Sequence, residues 1–312
     1  MFEIFGEKPN IDFIGKRKYS FILSALLILL GLTAFASIML GKAKMGIDFT
    51  GGTMVQGNFD RPITIGDLRS ALINNGFPEA NIQSLSTEGV ENSYLIRVKT
   101  VSEGLSVGQE STVDKITAVV QQAFPDNAFH EDSEHTIGPA VGKSLRKQAQ
   151  WAILLAVAGI LIYIWIRFDF RSGIAATVAT FHDVLAVLGI FWILGIEIDL
   201  LVVTALLTLG GYSLTDTVVV FDRIRENLRL FRKKGDFVVT INTSINEVLS
   251  RTVMTSVSTF IVVLTLFLFG GPVLRSLSLA LVIGVVVGTY SSVFVASPIV
   301  VEWEARSPKR FK

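Results

Sequence analysis

Asp216 lies within an apolar run, Ile198–Phe221, long enough to cross a membrane, and Asp222, Arg223, Arg225 and Glu226 follow it at what should be the water surface. An aspartate near the centre of a spanning helix costs about 2.5 to 3.5 kcal/mol on insertion scales. Such residues usually face a bundle interior or a water-filled path and take part in ion or proton movement. His182 and Asp183 form a second polar pair inside the run Gly173–Leu194. Enzymatic chemistry is not indicated, because no nucleophile, base and oxyanion-donor set recurs at a usable spacing. The chain has no cysteine, which excludes thiolate metal sites and a cysteine nucleophile. Its three histidines, His130, His135 and His182, argue against a histidine-rich metal centre. His130, Glu131, Asp132, Glu134 and His135 crowd together, yet strand alternation sends neighbours to opposite faces, so they read as a solvated edge. Gly46–Gly52 resembles a phosphate loop only in its glycines, since the Lys-Ser/Thr ending is missing. No cofactor and no metal is expected, and Asp216 is the residue placed to take part in ion or proton movement.

The elements that must position these residues are set by composition. Half of the chain is hydrophobic, 18% is charged and the mean hydropathy is +0.55, the balance of an integral membrane protein. A net charge of +1, with basic residues flanking the apolar runs, gives no sign of nucleic-acid binding.

Lys16, Arg17 and Lys18 precede the first run, Tyr19–Leu40. Ala34-Phe35-Ala36 has the form of a signal-peptide cleavage site, but the run continues past it, which suits a retained anchor. Residues 41–147 form a mixed polar segment of one-domain size. Within it Thr53–Phe59, Ile82–Ser86, Tyr94–Lys99 and Ala128–Ile137 read as strands, with Tyr94, Ile96 and Val98 on one face. Thr64–Asn75, with a capping box of Thr64 and Asp67 and a stop at Gly76, and Val113–Phe124 read as helices. The order βαββαβ predicts a ferredoxin-like α+β domain. Five further spans follow, at 148–166, 173–194, 198–221, 252–269 and 277–301, for six transmembrane helices in all. Phe237, Ile241, Ile245, Val248 and Leu249 make an apolar stripe opposite Asn242, Asn246 and Glu247 in the 222–251 loop, predicting an amphipathic helix at the membrane surface or leading straight into the fifth span. Arg251 then stands at the membrane boundary, where snorkelling alone would explain it. Gly284 and Gly288, followed by Ser291 and Ser292, and Gly210 and Gly211 before Asp216 make the fourth and sixth helices candidates for a closely packed centre.

Orientation follows from the short loops. Arg167, Arg171, Arg223, Arg225, Arg229, Arg232, Lys233 and Lys234, with Arg306, Lys309, Arg310 and Lys312 in the tail, place the even loops and both termini in the cytoplasm, with 41–147 outside.

GIDFTGGT at Gly46–Thr53, IGPAVGKSL at Ile137–Leu145, the His182-Asp183 pair, GYSLTDTVVVFDRIREN at Gly211–Asn227, SRTVMTS at Ser250–Ser256 and LFLFGGPVLR at Leu266–Arg275 resemble the successive motifs of the SecF family, protein-export membrane proteins that work with SecD. The resemblance covers essentially the whole chain. Where the family usually has Asn, this chain has Thr215.

The resemblance implies an RND-like half of six helices in the bacterial cytoplasmic membrane, paired with SecD beside the SecYEG channel, with SecA and YajC as neighbours. Its task would be to use the proton-motive force to promote late translocation and release of preproteins. By motif match, Asp216 is the proton-path carboxylate and Arg251 its partner, with His182, Asp183 and Thr215 as accessory intramembrane positions. Asp222, Arg223, Arg225 and Glu226 match a structural cytoplasmic motif, and Gly46, Asp48, Gly51, Gly52, Gly138 and Gly142 lie in motifs near the membrane that would couple the outer domain. Burial favours a protonated carboxyl and a guanidinium favours the carboxylate, so joining or separating the two groups would load or release a proton. Each charge crossing the membrane supplies about 2.3 kcal/mol per 100 mV. Two other readings stay open: a proton-coupled half-transporter for a small molecule or membrane lipid, and a purely structural subunit in which Asp216 only pairs helices. The first requires a wide pocket in the outer domain; the second requires that Asp216→Asn be tolerated.

Overall fold

The computed structural model describes residues 9–87, 90–99, 111–230 and 236–307, so Arg232, Lys233, Lys234, Lys309, Arg310 and Lys312, which carry part of the expected charge asymmetry, lie outside the described residues. Two compact units divide the chain: Met45–Trp151, and Met1–Lys44 together with Ala152–Lys312.

In the polar unit a short turn of helix, α2 (Ile47–Thr50), leads into β1 (Gly52–Phe59), α3 (Ile65–Asn74), β2 (Asn81–Thr87), β3 (Val90–Lys99), α4 (Thr112–Ala123) and β4 (Phe129–Ile137). The strands pair in the order β2-β3-β1-β4, all antiparallel, which is the βαββαβ arrangement that the sequence predicts. Tyr94, Ile96 and Val98 do share a face, and they pack with Val55, Phe59, Leu68, Leu72, Ile116 and Val120 in one core. Leu95 is also buried, on the opposite face. The capping differs from expectation. At α3 the Thr64 hydroxyl accepts from the Asp67 N–H at 3.1 Å, but the Asp67 carboxylate takes the Thr64 hydroxyl at 2.8 Å instead of the backbone N–H, so no reciprocal box forms. The complete box is at α4, between Ser111 and Asp114. Residues 130–136 of β4 are all exposed, and His130 pairs with Asp60 at 3.0 Å.

The other unit holds α1 (Arg17–Met39), most of α5 (Pro139–Arg167), α6 (Phe170–Leu194), α7 (Leu200–Leu230), α8 (Phe237–Phe269), α9 (Gly271–Ser291), a π-helical turn (Ser292–Ala296) and α10 (Ser297–Arg306). With α9, the π turn and α10 forming one continuous rod, six helices are long and apolar enough to cross a membrane. α7 does not end at Phe221 but runs on through the polar motif to Leu230, and the amphipathic segment after Asp236 is simply the first part of α8.

α6, α7 and the α9 rod form the centre, while α1, α5 and α8 leave most of their surfaces exposed. A Cβ at Gly284 would meet the Leu209 methyls at 2.7 Å and one at Gly288 would meet Ser213 at 3.2 Å, so these glycines do let α9 approach α7. The place of α6 in the centre is a further finding. Its Ala175, Ala176, Ala179, Ala186 and Gly189 are buried, and Gly189 lies against the backbone of Gly31 in α1. At one end of this unit, Phe13, Ile14, Phe168, Phe221, Ile241, Ile245 and Val301 share a core. At the other, the Ile198 N–H donates to the Lys44 carbonyl at 2.9 Å. Among the described basic residues, Arg167 pairs with Asp222, Arg171 with Glu304 and Arg223 with Glu247.

Candidate functional site

Asp183, on the inner face of α6, is fully buried among apolar helices and meets polar partners from three of them. Its Oδ1 lies 2.9 Å from Nδ1 of His182. Its Oδ2 accepts hydrogen bonds from the Ser213 hydroxyl of α7 and from the Ser291 hydroxyl of α9, the latter at 2.7 Å. A buried carboxyl needs such partners, since an unsatisfied one costs several kcal/mol. Nε2 of His182 is buried without a hydrogen-bond partner. The His182 ring faces Tyr290, 6.2 Å between centroids, and Tyr290 donates to the Ser20 carbonyl of α1 at 2.9 Å.

Asp216 follows Ser213 by one turn on the same face of α7 and is 6% exposed. It has one hydrogen bond, accepted at Oδ2 from the Ser256 hydroxyl of α8 at 3.3 Å. Ser256 in turn meets the Thr289 hydroxyl of α9 at 2.7 Å. The buried hydroxyls of Tyr212 and Thr252, each four residues before one member of the Asp216–Ser256 pair, have no partner. Arg251 lies within electrostatic reach of Asp216 but is exposed, and no ion pair joins the two. Thr215 points away from this cluster; it is exposed and donates to the Gly211 carbonyl at 3.1 Å.

The polar motif at the end of α7 ties helices together. Asp222 pairs with Arg167 of α5. Arg223 bonds to Glu226 and to Glu247 of α8, both at 2.6 Å, and Asn227 donates to Glu247 at 2.7 Å and to Ser244 at 3.0 Å. Arg225 is exposed. Asn242 and Asn246 have a use that their helical face did not suggest. Their amides clamp the backbone of residues 11–14, with Ile11 and Phe13 N–H groups donating to them at 2.9 Å and both side chains donating to the Ile11 carbonyl at 2.9 Å.

In the polar unit, Gly51 has φ 76°, a left-handed conformation that favours glycine, and Gly46 caps α2. A Cβ on Gly142 would lie 2.9 Å from the Gly51 nitrogen, so the two glycine motifs meet; Gly138 has open space and Gly52 packs on Ile47. Asp48 occupies the first turn of α2. Among the described residues no group of three or more histidine and carboxylate side chains gathers as a metal site would require.

Comparison with known proteins decides the family. The family described as protein export membrane protein SecD/SecF, C-terminal, matches residues 115–306. The chain belongs to the SecD/SecF family. It is 48% identical over 301 residues to the protein translocase subunit SecF of Thermodesulfovibrio yellowstonii, covering 96% of each chain. The SecF of Endomicrobium trichonymphae is 40% identical, with 99% of this chain and 96% of that one covered. Among solved structures, SecDF from Thermus thermophilus, described as a translocon-associated membrane protein, superposes with a TM-score of 0.80 at 36% identity. That match covers 97% of this chain but 40% of SecDF, so the present chain corresponds to less than half of the SecDF polypeptide. Six apolar helices and this family membership make it a multi-pass bacterial membrane protein.

Proposed function

We propose that this chain is an accessory subunit of the protein translocase that, together with a SecD partner, uses the proton-motive force to promote late translocation and release of preproteins. The names of the relatives and the SecDF match support the subunit role and the partner. SecYEG, SecA and YajC are the neighbours proposed with it, in the cytoplasmic membrane, with both termini inside. The role is mechanical, not enzymatic.

The observation that carries the coupling is the setting of Asp216. A carboxyl buried in the bundle, held by one hydroxyl of α8 and within reach of an arginine on that same helix, binds a proton differently whenever α8 shifts against α7. Asp216 carries the proton and Arg251 is the cation that favours its release; Asp183 and His182 hold the helices around them.

The test is preprotein export in vesicles containing the Sec channel, SecD and either the native chain or Asp216→Asn, with the proton gradient present or collapsed. Export by the native chain rises with the gradient, and export by the variant does not. Equal stimulation of both would reduce Asp216 to a packing residue and leave a structural subunit.

A further inference from the structure

A cleft of about 500 Å³ opens where α5 and α7 end, lined by Arg167, Asp222, Arg225, Glu226, Arg229 and Leu230. Three guanidinium groups and two carboxylates face it, but the carboxylates are engaged. Asp222 is paired with Arg167, and Glu226 with Arg223 at 2.6 Å. Arg225 and Arg229 are exposed, have no ion pair among the described residues, and stand four apart on one helix face, where like charges repel unless an anion joins them. Arg229 also lies in the last turn of α7, where it offsets the partial negative charge of the helix end; Arg225 is too far inside the helix for that.

The apolar surface of the helices that end at the cleft indicates what the anion is attached to. On α5, Trp165 and Ile166, immediately before Arg167, are 70% and 83% exposed, and Leu230 at the cleft's edge is 70% exposed. An apolar surface meeting a cationic cleft at the end of a spanning helix matches a lipid, with acyl chains along α5 and the headgroup between the arginines. We propose that this cleft binds the phosphate headgroup of an anionic phospholipid, with Arg225 and Arg229 as its ligands and Arg167, fixed by Asp222, at its margin. With both termini in the cytoplasm, as proposed, the site lies in the cytoplasmic leaflet; headgroup binding itself does not depend on that reading.

The experiment is native mass spectrometry of the full chain in detergent, titrated separately with phosphatidylglycerol, with phosphatidylcholine of the same acyl chains, and with glycerol 3-phosphate. Phosphatidylglycerol adducts should form in preference to phosphatidylcholine, and glycerol 3-phosphate should not bind. At about 1 kcal/mol per arginine near an anionic surface, Arg225→Gln/Arg229→Gln should weaken phosphatidylglycerol binding roughly thirtyfold. Arg225→Lys/Arg229→Lys, which keeps the charge, should retain most of it. Equal retention of the two lipids, or an unchanged glutamine variant, would overturn the site. Binding of glycerol 3-phosphate as tightly as phosphatidylglycerol would overturn the lipid and leave a soluble phosphate. The readout is adduct mass, so it stands apart from any failure of proton-coupled export.

Discussion

α1 and α6 cross with backbone against backbone, and Gly189→Ala tests that contact. A Cβ at residue 189 would lie 2.8 Å from the Gly31 nitrogen and 2.9 Å from the Leu30 carbonyl carbon. Ordinary contact begins near 3.4 Å, so the new methyl falls short by about 0.6 Å, and the obstacle is main chain in the middle of a helix. Only a separation of the two helices relieves it, at a cost of roughly 1 to 3 kcal/mol. Gly284→Ala is the instructive comparison. Its Cβ would come slightly nearer to a neighbour, 2.7 Å, but that neighbour is the pair of Leu209 methyls, which can rotate away. Gly159→Ala, with open space around it, is the control. Reversible unfolding in mixed micelles should rank the three as Gly189→Ala most destabilised, Gly284→Ala intermediate and Gly159→Ala unchanged or slightly stabilised, since alanine is the better helix former. If Gly284→Ala costs more than Gly189→Ala, the distinction between yielding side chain and unyielding backbone fails. A neutral Gly189→Ala would mean that α1 and α6 do not cross as closely as described.

Three further outcomes follow from the geometry. Asp183→Leu removes the interhelical acceptor of the Ser213 and Ser291 hydroxyls, and at about 0.6 to 1.7 kcal/mol per interhelical bond it should cost more than Ser213→Ala or Ser291→Ala alone, with clear non-additivity in the unfolding free energies of the double variants. Asn242→Leu/Asn246→Leu removes the side-chain partners of the Ile11 and Phe13 backbone groups and should expose the segment before α1 to limited proteolysis, while native protein resists. Ser111→Ala breaks the reciprocal cap of α4 and should raise amide exchange in its first turn, at a local cost of about 1 kcal/mol; Thr64→Ala at α3, where the box is incomplete, should raise it less.

What the sequence made legible was whatever depends on short-range periodicity. Alternation at Tyr94, Ile96 and Val98 located a strand, and a polar residue in an apolar run located Asp216 and Asp183. Span existence follows in the same way from length and hydropathy. Which face of a span is central does not, because a lipid-facing helix and a bundle-facing helix are equally apolar. The alanine row of α6 was the available signal for its central position, yet alanine counts as apolar in any hydropathy scale. Ser213 and Ser291 are not legible as partners of Asp183, because they lie 30 and 108 residues from it and nothing local marks a serine as an interhelical donor. The length of α7 is not legible because its charged end reads as loop. In the fold Asp222 pairs with Arg167, Arg223 with Glu247, and Asn227 bonds to Ser244, all on neighbouring helices, which lets the helix continue into water.

The two buried carboxyls differ in how many helices depend on them, and that difference makes the export experiment interpretable. Asp183 is held from α7 and α9 while sitting on α6, so replacing it disturbs packing throughout the centre. Asp216 has a single hydrogen bond, from Ser256, at the longer distance of 3.3 Å. In Asp216→Asn the amide oxygen still accepts from that hydroxyl and the side-chain volume is nearly unchanged, so little stability is at stake. What the variant loses is the capacity to exchange a proton and to attract Arg251. A loss of gradient-driven export in Asp216→Asn, with assembly and unfolding free energy intact, therefore reports on proton binding. The same loss in Asp183→Asn would be ambiguous, because the amide oxygen can still accept both hydroxyls but its nitrogen suits the imidazole only when Nδ1 is unprotonated, which puts the ring proton on the partnerless Nε2.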